Sequence, residues 1–298
     1  MENAVEKIFS IVTPSFNQGQ FISETIESVV SQKGNFYIDY VIMDGGSTDD
    51  TLEVIKKYEQ FLIENCSVKR IQGLNFYVAN DNNFKYNQSL GISFRWYSEK
   101  DEGQADAINK GFNLCIGDIF AFINSDDMYY PDTFQKIEKL NWKNFDLSYG
   151  EGMWITSNGE NLCLYPTLSP TRYFLFNRCT LCQPTVFFKK ETYLKLGNFD
   201  NYFFCGFDYE YWLRAVFNNC KFKYINAVLA KSRMYKDNKS LSNQDIVAEN
   251  NRELIKKYYE NSGLNKFFLW VIEYFAEKYT FRREKKMFSL LCEFNLKE

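Results

Sequence analysis

Residues Ile119 to Asp132 read IFAFINSDDMYYPD, an apolar run that breaks within one residue into polar and acidic ones. Ile119, Phe120, Ala121, Phe122 and Ile123 have the aromatic and branched content of a short strand buried on both faces, as strands of a parallel sheet are. Asn124, Ser125, Asp126 and Asp127 follow at its carboxyl end. In an open α/β sheet ligands bind in the crevice outside those ends, so such a strand delivers two adjacent carboxylates to a site. Neighbouring anions raise each other's pKa unless a cation sits between them. A hard divalent ion is held by one or two carboxylates plus the phosphates of a substrate. The alternative is a turn or helix cap ahead of Pro131.

Upstream, Ile8 to Val12 predicts a strand that stops at Thr13-Pro14-Ser15, because proline does not continue a central strand. A helix follows with Phe21, Ile22, Thr25, Ile26, Val29 and Val30 at helical spacing, closed by Gly34. A second strand, Ile38 to Met43, runs into Asp44-Gly45-Gly46-Ser47-Thr48-Asp49-Asp50, where Asp50 and Glu53 have the spacing of a capping box for the next helix. Residues 64–91, rich in Asn and Gln, read as an insertion with a short hairpin. A third strand, Ile92 to Ser98, and a helix with Ala105, Ile108, Phe112 and Cys115 inward lead to the central strand. This alternation predicts a parallel sheet. Neither GxGxxG nor GxxxxGK is present, which excludes a dinucleotide-binding Rossmann unit and a P-loop. The small polar strand ends suit a nucleotide held by base and ribose, with Asp44 offering its carboxylate, or else Asp44-Gly45 is only a turn. Gln104, Asp106 and Asn109 are either solvated or face the same crevice.

Downstream, a helix carries Phe134, Ile137 and Leu140, and then the pattern changes. Asp146 to Ser157 and Glu160 to Tyr165 predict antiparallel strands around an Asn158-Gly159 turn, and Gln183 to Lys189 a further strand. Gly206 enters a helix with Tyr209, Trp212, Leu213 and Val216 on one face. Asp208 lies in its first turn, where the positive helix end favours the ionised form. In a cleft that carboxylate would accept a proton from a hydroxyl; on the surface it would only stabilise the helix.

Composition narrows the chemistry. The 298 residues, 45% of them hydrophobic, are enough for one large domain or two smaller ones. There is no histidine, which removes every imidazole-based mechanism and leaves acid or base work to carboxylates. The eight cysteines are scattered, and the single CxxC, Cys179 and Cys182, has no second pair, so a reducing cytosol is expected and a zinc site is not. Met1 to Lys7 is polar and no run approaches the ~18 apolar residues of a membrane span, so neither a signal peptide nor a spanning helix is expected. From Lys221 onward 16 Lys and Arg stand against 10 Asp and Glu, whereas the first 220 residues hold 19 against 28. Basic residues are mixed with acidic ones and no nucleic-acid motif appears, so nucleic-acid binding is not expected.

Six stretches together resemble one family: Thr13 to Gln32, Val41 to Thr51, Trp96 to Phe112, the central FINSDDMYYPD, Gln183 to Asp200, and DYEYWLRA from Asp208 to Ala215. They are similar, in the same order, to the inverting nucleotide-sugar glycosyltransferases of GT-A fold (family 2), in the bacterial surface-polysaccharide branch. The resemblance implies an α/β fold with a mostly parallel, Rossmann-like central sheet flanked by helices. Residues 1–130 would be the nucleotide-sugar half, 131–240 the acceptor and catalytic-base half, and 241–298 a helical extension. Nucleotide contacts would fall on Thr13, Pro14, Ser15, Asp44, Ser47, Asn124 and Ser125. The Asp-x-Asp metal motif would fall on Asn124, Ser125 and Asp126, with Asp126 the ligand for Mn2+ or Mg2+ and Asp127 beside it. Asp208 would be the general base, and Gln104, Asp106, Asn109, Gln183 and Arg233 would contact donor or acceptor.

The departures are Asn124 for the first Asp of the metal motif, Phe207 for the Glu preceding the base, and Tyr235 for a histidine in an Arg-x-His segment. Arg233 and Lys236 are left as sources of positive charge there. The implied partners are a nucleotide-sugar donor, expected to be UDP-linked, and a glycan or lipid diphosphate-linked acceptor. A two-carboxylate glycoside hydrolase and a non-catalytic sugar-binding or scaffold protein are the rival readings. Phe267, Phe268, Trp270, Val271 and Tyr274, followed by Arg282, Arg283, Lys285 and Lys286, would let the tail lie on the inner face of the cytoplasmic membrane, or else pack on the core.

Overall fold

Strand and helix alternate through the first half of the chain as its hydrophobic periodicity dictates. In the computed structural model, which describes residues 6–80, 88–176 and 178–260, the order is β1 (Lys7–Ser15), α1 (Ile22–Val30), β2 (Phe36–Asp44), α2 (Thr51–Asn65), β3 (Cys66–Ile71), β4 (Leu74–Ala79), β5 (Gly91–Ser98), α3 (Gln104–Leu114) and β6 (Ile119–Phe122). The second half continues with β7 (Met128–Tyr129), α4 (Thr133–Glu138), β8 (Leu147–Ile155), β9 (Asn161–Leu164), α5 (Arg172–Leu175), β10 (Phe187–Lys189), α6 (Lys190–Leu196), α7 (Phe207–Phe217), β11 (Phe222–Arg233), α8 (Lys239–Ser242) and α9 (Gln244–Glu260).

One sheet holds these strands in the order β3-β4-β5-β2-β1-β6-β10-β8-β11-β7, with β9 hydrogen-bonded to β8 off that path. The segment β5-β2-β1-β6 is parallel throughout. Beyond it, β10 is antiparallel to β6 and β8, while β8 and β11 run parallel. The expected mostly parallel α/β sheet is present at the core and gives way to a mixed one on the far side.

Period-two alternation along β6 sends its side chains into two separate cores. Phe120 and Phe122 join the layer containing Phe112, Phe188 and Trp212, and Ile119, Ala121 and Ile123 join the layer containing Phe9, Ile26 and Phe134. The Phe112 and Phe120 rings stack at 4.9 Å with planes 7° apart. Gly111 lets α3 sit that close: a Cβ there would lie 2.6 Å from Val12 Cγ1. The close seat carries the first turn of α3, with Gln104, to the carboxyl end of β6.

Three sequence expectations are corrected. β1 runs through Thr13, Pro14 and Ser15, paired with Ile42, Met43 and Asp44. Proline is tolerated because Ser15 turns its carbonyl toward β2, accepting Gly45 N at 2.8 Å, so Pro14 faces the β6 side, where β6 has already ended opposite Val12. The capping box is not formed. Asp50 caps nothing with its side chain, Asp49 binds Thr51 N and Gly19 N instead, and Glu53 pairs with Lys57. Gln183–Thr185 is a 3-10 turn, so only Phe187–Lys189 of the expected strand is strand.

Residues 66–79 form the expected hairpin and extend the sheet edge. The aromatic and basic tail residues 267–286 lie outside the described residues, as does most of the 241–298 extension. Among the described residues no helix is long and apolar enough to cross a membrane.

Candidate active site

Two clefts open side by side at the carboxyl ends of β1 and β6. The first, about 380 Å³, is lined by Pro14, Ser15, Phe16 and Gln18 from the end of β1, by Asp101 and Gly103 ahead of α3, and by Tyr235 and Asp237 after β11. The second, about 320 Å³, lies between Trp154 and Tyr165 of the β8–β9 hairpin, Gln183 and Pro184, and Gly206 to Tyr209 at the start of α7. Gln104, Asn124, Asp126, Phe204, Asn238 and Lys239 belong to both walls. The polar break after β6 is the partition between the two clefts.

That partition is held from behind by β11. Arg233 is fully buried, and its backbone N–H donates to Asp127 Oδ1 at 2.9 Å. Its guanidinium donates to the carbonyls of Asp126 (2.9 Å) and Ser157 and to Glu24 Oε2 (3.0 Å), and it lies 4.6 Å from the Phe21 ring centroid. Arg233 is therefore spent on the architecture of the carboxylate turn and lies on neither cleft wall, which corrects its expected contact with donor or acceptor.

The paired aspartates divide. Asp127 is 3% exposed and turned inward, receiving Arg233 N and Asn124 Nδ2 (3.4 Å). Burial, and then the charge of Asp126, push its carboxyl well above the usual range. Asp126 is raised by burial as well, opposed by a hydrogen bond from the Tyr235 hydroxyl to Oδ2 at 3.0 Å. Tyr235, standing where the resemblance expects a histidine, is thus laid on the carboxylate by its ring contact with Phe21 (4.9 Å). Among the described residues no three acidic or cysteine side chains converge as a metal cage. What is present is oxygen-rich: one half-buried carboxylate, Asp126, common to both clefts and a buried one, Asp127, beside it. That set suits a hard ion whose remaining ligands come from a diphosphate.

Pro14, Ser15 and Ser125 line the first cleft. Ser15 Oγ and Gln18 Oε1 are buried there without a hydrogen-bond partner. Thr13 lies behind the wall, bonded to the Tyr40 hydroxyl at 3.0 Å. Asp44 also lies behind, receiving Gly46 N, Ser47 N and Ser98 Oγ on Oδ2, with Ser47 Oγ on Oδ1. Asp44 and Ser47 shape the strand-end turn.

Asp106 receives Glu102 N and pairs with Lys110 at 3.0 Å, and Asn109 is buried, holding Phe199 through both its N–H (2.9 Å) and its carbonyl (2.9 Å). The two are brought to neither cleft. Gln104 is: its Nε2 donates to Asn124 Oδ1 at 2.6 Å and its Oε1 accepts from Lys239 at 3.1 Å.

On the wall of the second cleft, Asp208 stands at the first turn of α7, entered through Gly206 at φ 83°, a left-handed conformation that favours glycine. Burial raises the Asp208 carboxyl, against the nearby helix N–H groups and the Lys239 charge. Phe207, in place of the family's Glu, packs inward against Phe199 (5.8 Å) and Phe122 (6.0 Å). Gln183 donates to the Phe122 carbonyl at 2.8 Å and leaves Oε1 without a partner. Cys179 and Cys182 also line this cleft, and burial pushes both thiols upward, away from the reactive thiolate.

Sequence reasoning missed Asp101, Phe16, Trp154, Tyr165, Phe204 and Lys239. All but Lys239, which opens the short α8, sit in a loop or hairpin, and none lies in a stretch with a periodic signal.

The family model for glycosyl transferase family 2 matches residues 10–86 and 85–162. An uncharacterized glycosyltransferase of Methanocaldococcus jannaschii is 23% identical over 237 residues, 76% of this chain and 71% of that protein. A PGL/p-HBAD biosynthesis glycosyltransferase of Mycobacterium bovis is 24% identical over 247 residues, 81% of this chain and 82% of that protein. Among solved structures, S. aureus TarS 1-349 in complex with UDP-GlcNAc superposes with a TM-score of 0.62 at 16% identity, covering 92% of this chain and 72% of that one. The Pyrobaculum calidifontis mannosyltransferase in complex with GDP-Man and Mn2+ gives 0.61 at 14% identity, covering 93% and 70%. The shared fold is the GT-A arrangement.

Proposed function

This chain belongs to glycosyl transferase family 2, and we propose that it moves a sugar from a nucleoside diphosphate sugar, UDP-linked, to a hydroxyl of a growing lipid-linked glycan, with inversion. The observation that carries this reading is the pair of clefts meeting at Asp126, with the second carboxylate, Asp208, on the far wall of one of them. Unpartnered Ser15 Oγ and Gln18 Oε1 support a polar ligand on the donor side, since a buried polar atom left unmade costs about 1–3 kcal/mol. The solved neighbours carry UDP-GlcNAc and GDP-Man.

In this reading residues 1–130 hold the donor, 131–240 the acceptor, and 241–298 is an extension. The protein works on the cytoplasmic side of a membrane. Asp208 takes the proton of the acceptor hydroxyl as that oxygen bonds the anomeric carbon. The bond from that carbon to the phosphate oxygen breaks on the opposite face, and its electron pair leaves with the diphosphate. A raised pKa suits a carboxylate to this work near neutral pH. A divalent ion, Mn2+ or Mg2+, would be held by Asp126 with Asp127 beside it, and would neutralise the leaving diphosphate.

A panel of UDP- and GDP-sugars, assayed by thermal shift and by donor turnover with Mn2+ or Mg2+, tests the proposal. Stabilisation by at least one sugar nucleotide, with nucleotide release that rises on adding a glycan acceptor, is expected. Hydrolysis of simple glycosides without any response to nucleotides would overturn it in favour of a hydrolase.

A further inference from the structure

A departing nucleoside diphosphate brings negative charge to the partition between the clefts, and the two cations expected to meet it are elsewhere. Arg233 is buried behind the partition, and Lys236 is exposed and on neither wall. Lys239, at the start of α8, lines both clefts, and among the described residues it is the only cation on either wall. Its ammonium donates to Gln104 Oε1 at 3.1 Å and lies 4.2 Å from the Phe204 ring centroid. Among the described residues no carboxylate lies within ion-pairing distance of it. One amide oxygen and two aromatic faces, Phe204 and the more distant Phe207 at 5.9 Å, are thin compensation for a largely buried charge, and an ammonium has three hydrogens to donate.

Its surroundings are built to hold it there. Gln104 is fixed end to end, its amide N–H on Asn124 Oδ1 at 2.6 Å and its carbonyl toward Lys239. Asn124, where the family's metal motif begins with Asp, accepts that N–H without adding a charge. The departure at 124 therefore removes an anion from the partition at the place where Gln104 aims a cation across it. Burial lowers the Lys239 pKa, while Cys205, Asp208 and Asp101 act the other way, the two carboxyl groups lying on opposite clefts.

We propose that Lys239 binds the diphosphate of the donor and stabilises it as it leaves, a positioning that Gln104 and Asn124 maintain. This rests on the reading of the first cleft as a nucleoside diphosphate sugar site. No proton need move: the electron pair of the broken bond stays on the phosphate oxygen, and the ammonium strengthens its hydrogen bond to that oxygen. Because the cation is covalently part of the chain, a share of diphosphate affinity persists without any divalent ion.

Calorimetric titration of the full chain in chelator, with UDP and GDP against uridine and guanosine, separates the two claims. Wild type should prefer a diphosphate over its nucleoside. Lys239→Met should weaken diphosphate binding about 10–100-fold, as loss of a charge-assisted hydrogen bond does, and leave the nucleoside unchanged. Lys239→Arg should recover most of the loss. Diphosphate binding by Lys239→Met equal to wild type would overturn the role of Lys239 and leave the donor reading standing, and so would equal weakening of nucleoside and diphosphate in both variants, the mark of a structural lysine. Wild type that binds neither nucleotide nor nucleoside, with or without Mg2+, would remove the donor reading and this one together.

Discussion

The first cleft is made of strand ends, and the second is made of side chains brought from far apart. Pro14, Ser15 and Phe16 reach the first cleft because β1 delivers them, and Asn124 to Asp126 because β6 does. Trp154, Tyr165, Gln183 and Asp208 reach the second through a hairpin, a 3-10 turn and a helix start that meet only when β8 has found β10 and β11. The first cleft is a property of the sheet. The second is added to it, on the side where the sheet stops being parallel.

The hardest blow to that division is Asp126→Ala, since Asp126 belongs to both clefts. Transfer should fall to background with the fold intact, and the thermal stabilisation by Mn2+ with UDP expected of wild type should vanish. A variant that still transfers would take Asp126 out of the chemistry. Asp208→Asn should fall on one side only, with donor affinity near wild type and turnover lower by about two orders of magnitude or more. The raised pKa adds a sign: the base must be ionised, so wild-type activity falls as pH drops, and its acid limb should lie above the ordinary aspartate value of about 4. Activity undiminished down to that value would argue for an unperturbed group.

Asn109→Ala strikes what joins the halves. It strips both hydrogen bonds from buried Phe199 and should cost about 3 kcal/mol in denaturant unfolding, with KM values little changed in the protein that remains folded. Trp154→Ala is the mildest. It removes one ring of the Trp154–Tyr165 pair, 5.2 Å apart, and should raise acceptor KM several-fold while donor KM stays put. Equal effects on both substrates would mean that the two clefts do not sort as described.

The same contrast explains what could be read in advance. Strands β1, β2, β5 and β6 and their helices announce themselves by local period, and Asp126 by the abrupt break after β6, whereas Asp208 stands out only through the family resemblance of the stretch it opens. Twelve-residue β11 was not anticipated, because its polar and apolar residues follow no strict alternation and its partners lie some 75 residues back in β8. With β11 unseen, Arg233 looked like a free cation. Lys239 in Lys-Asp-Asn-Lys-Ser carries no local sign that Phe204 and Gln104 will close over it. Asn109 looked like a ligand contact because a polar residue on a helix start gives no sign of the loop it will strap.

Arg233 also sets an order of assembly during synthesis. The turn that presents Asp126 is shaped by an N–H and a guanidinium more than a hundred residues downstream, with |i−j| of 106 and 107. A nascent chain that ends at α7 holds the strands β1, β2, β5 and β6 and the Thr25 bond to the Asp127 carbonyl, yet its acidic turn lacks the Arg233 N–H and guanidinium. The turn therefore gains its full set of hydrogen bonds only when the last strand docks.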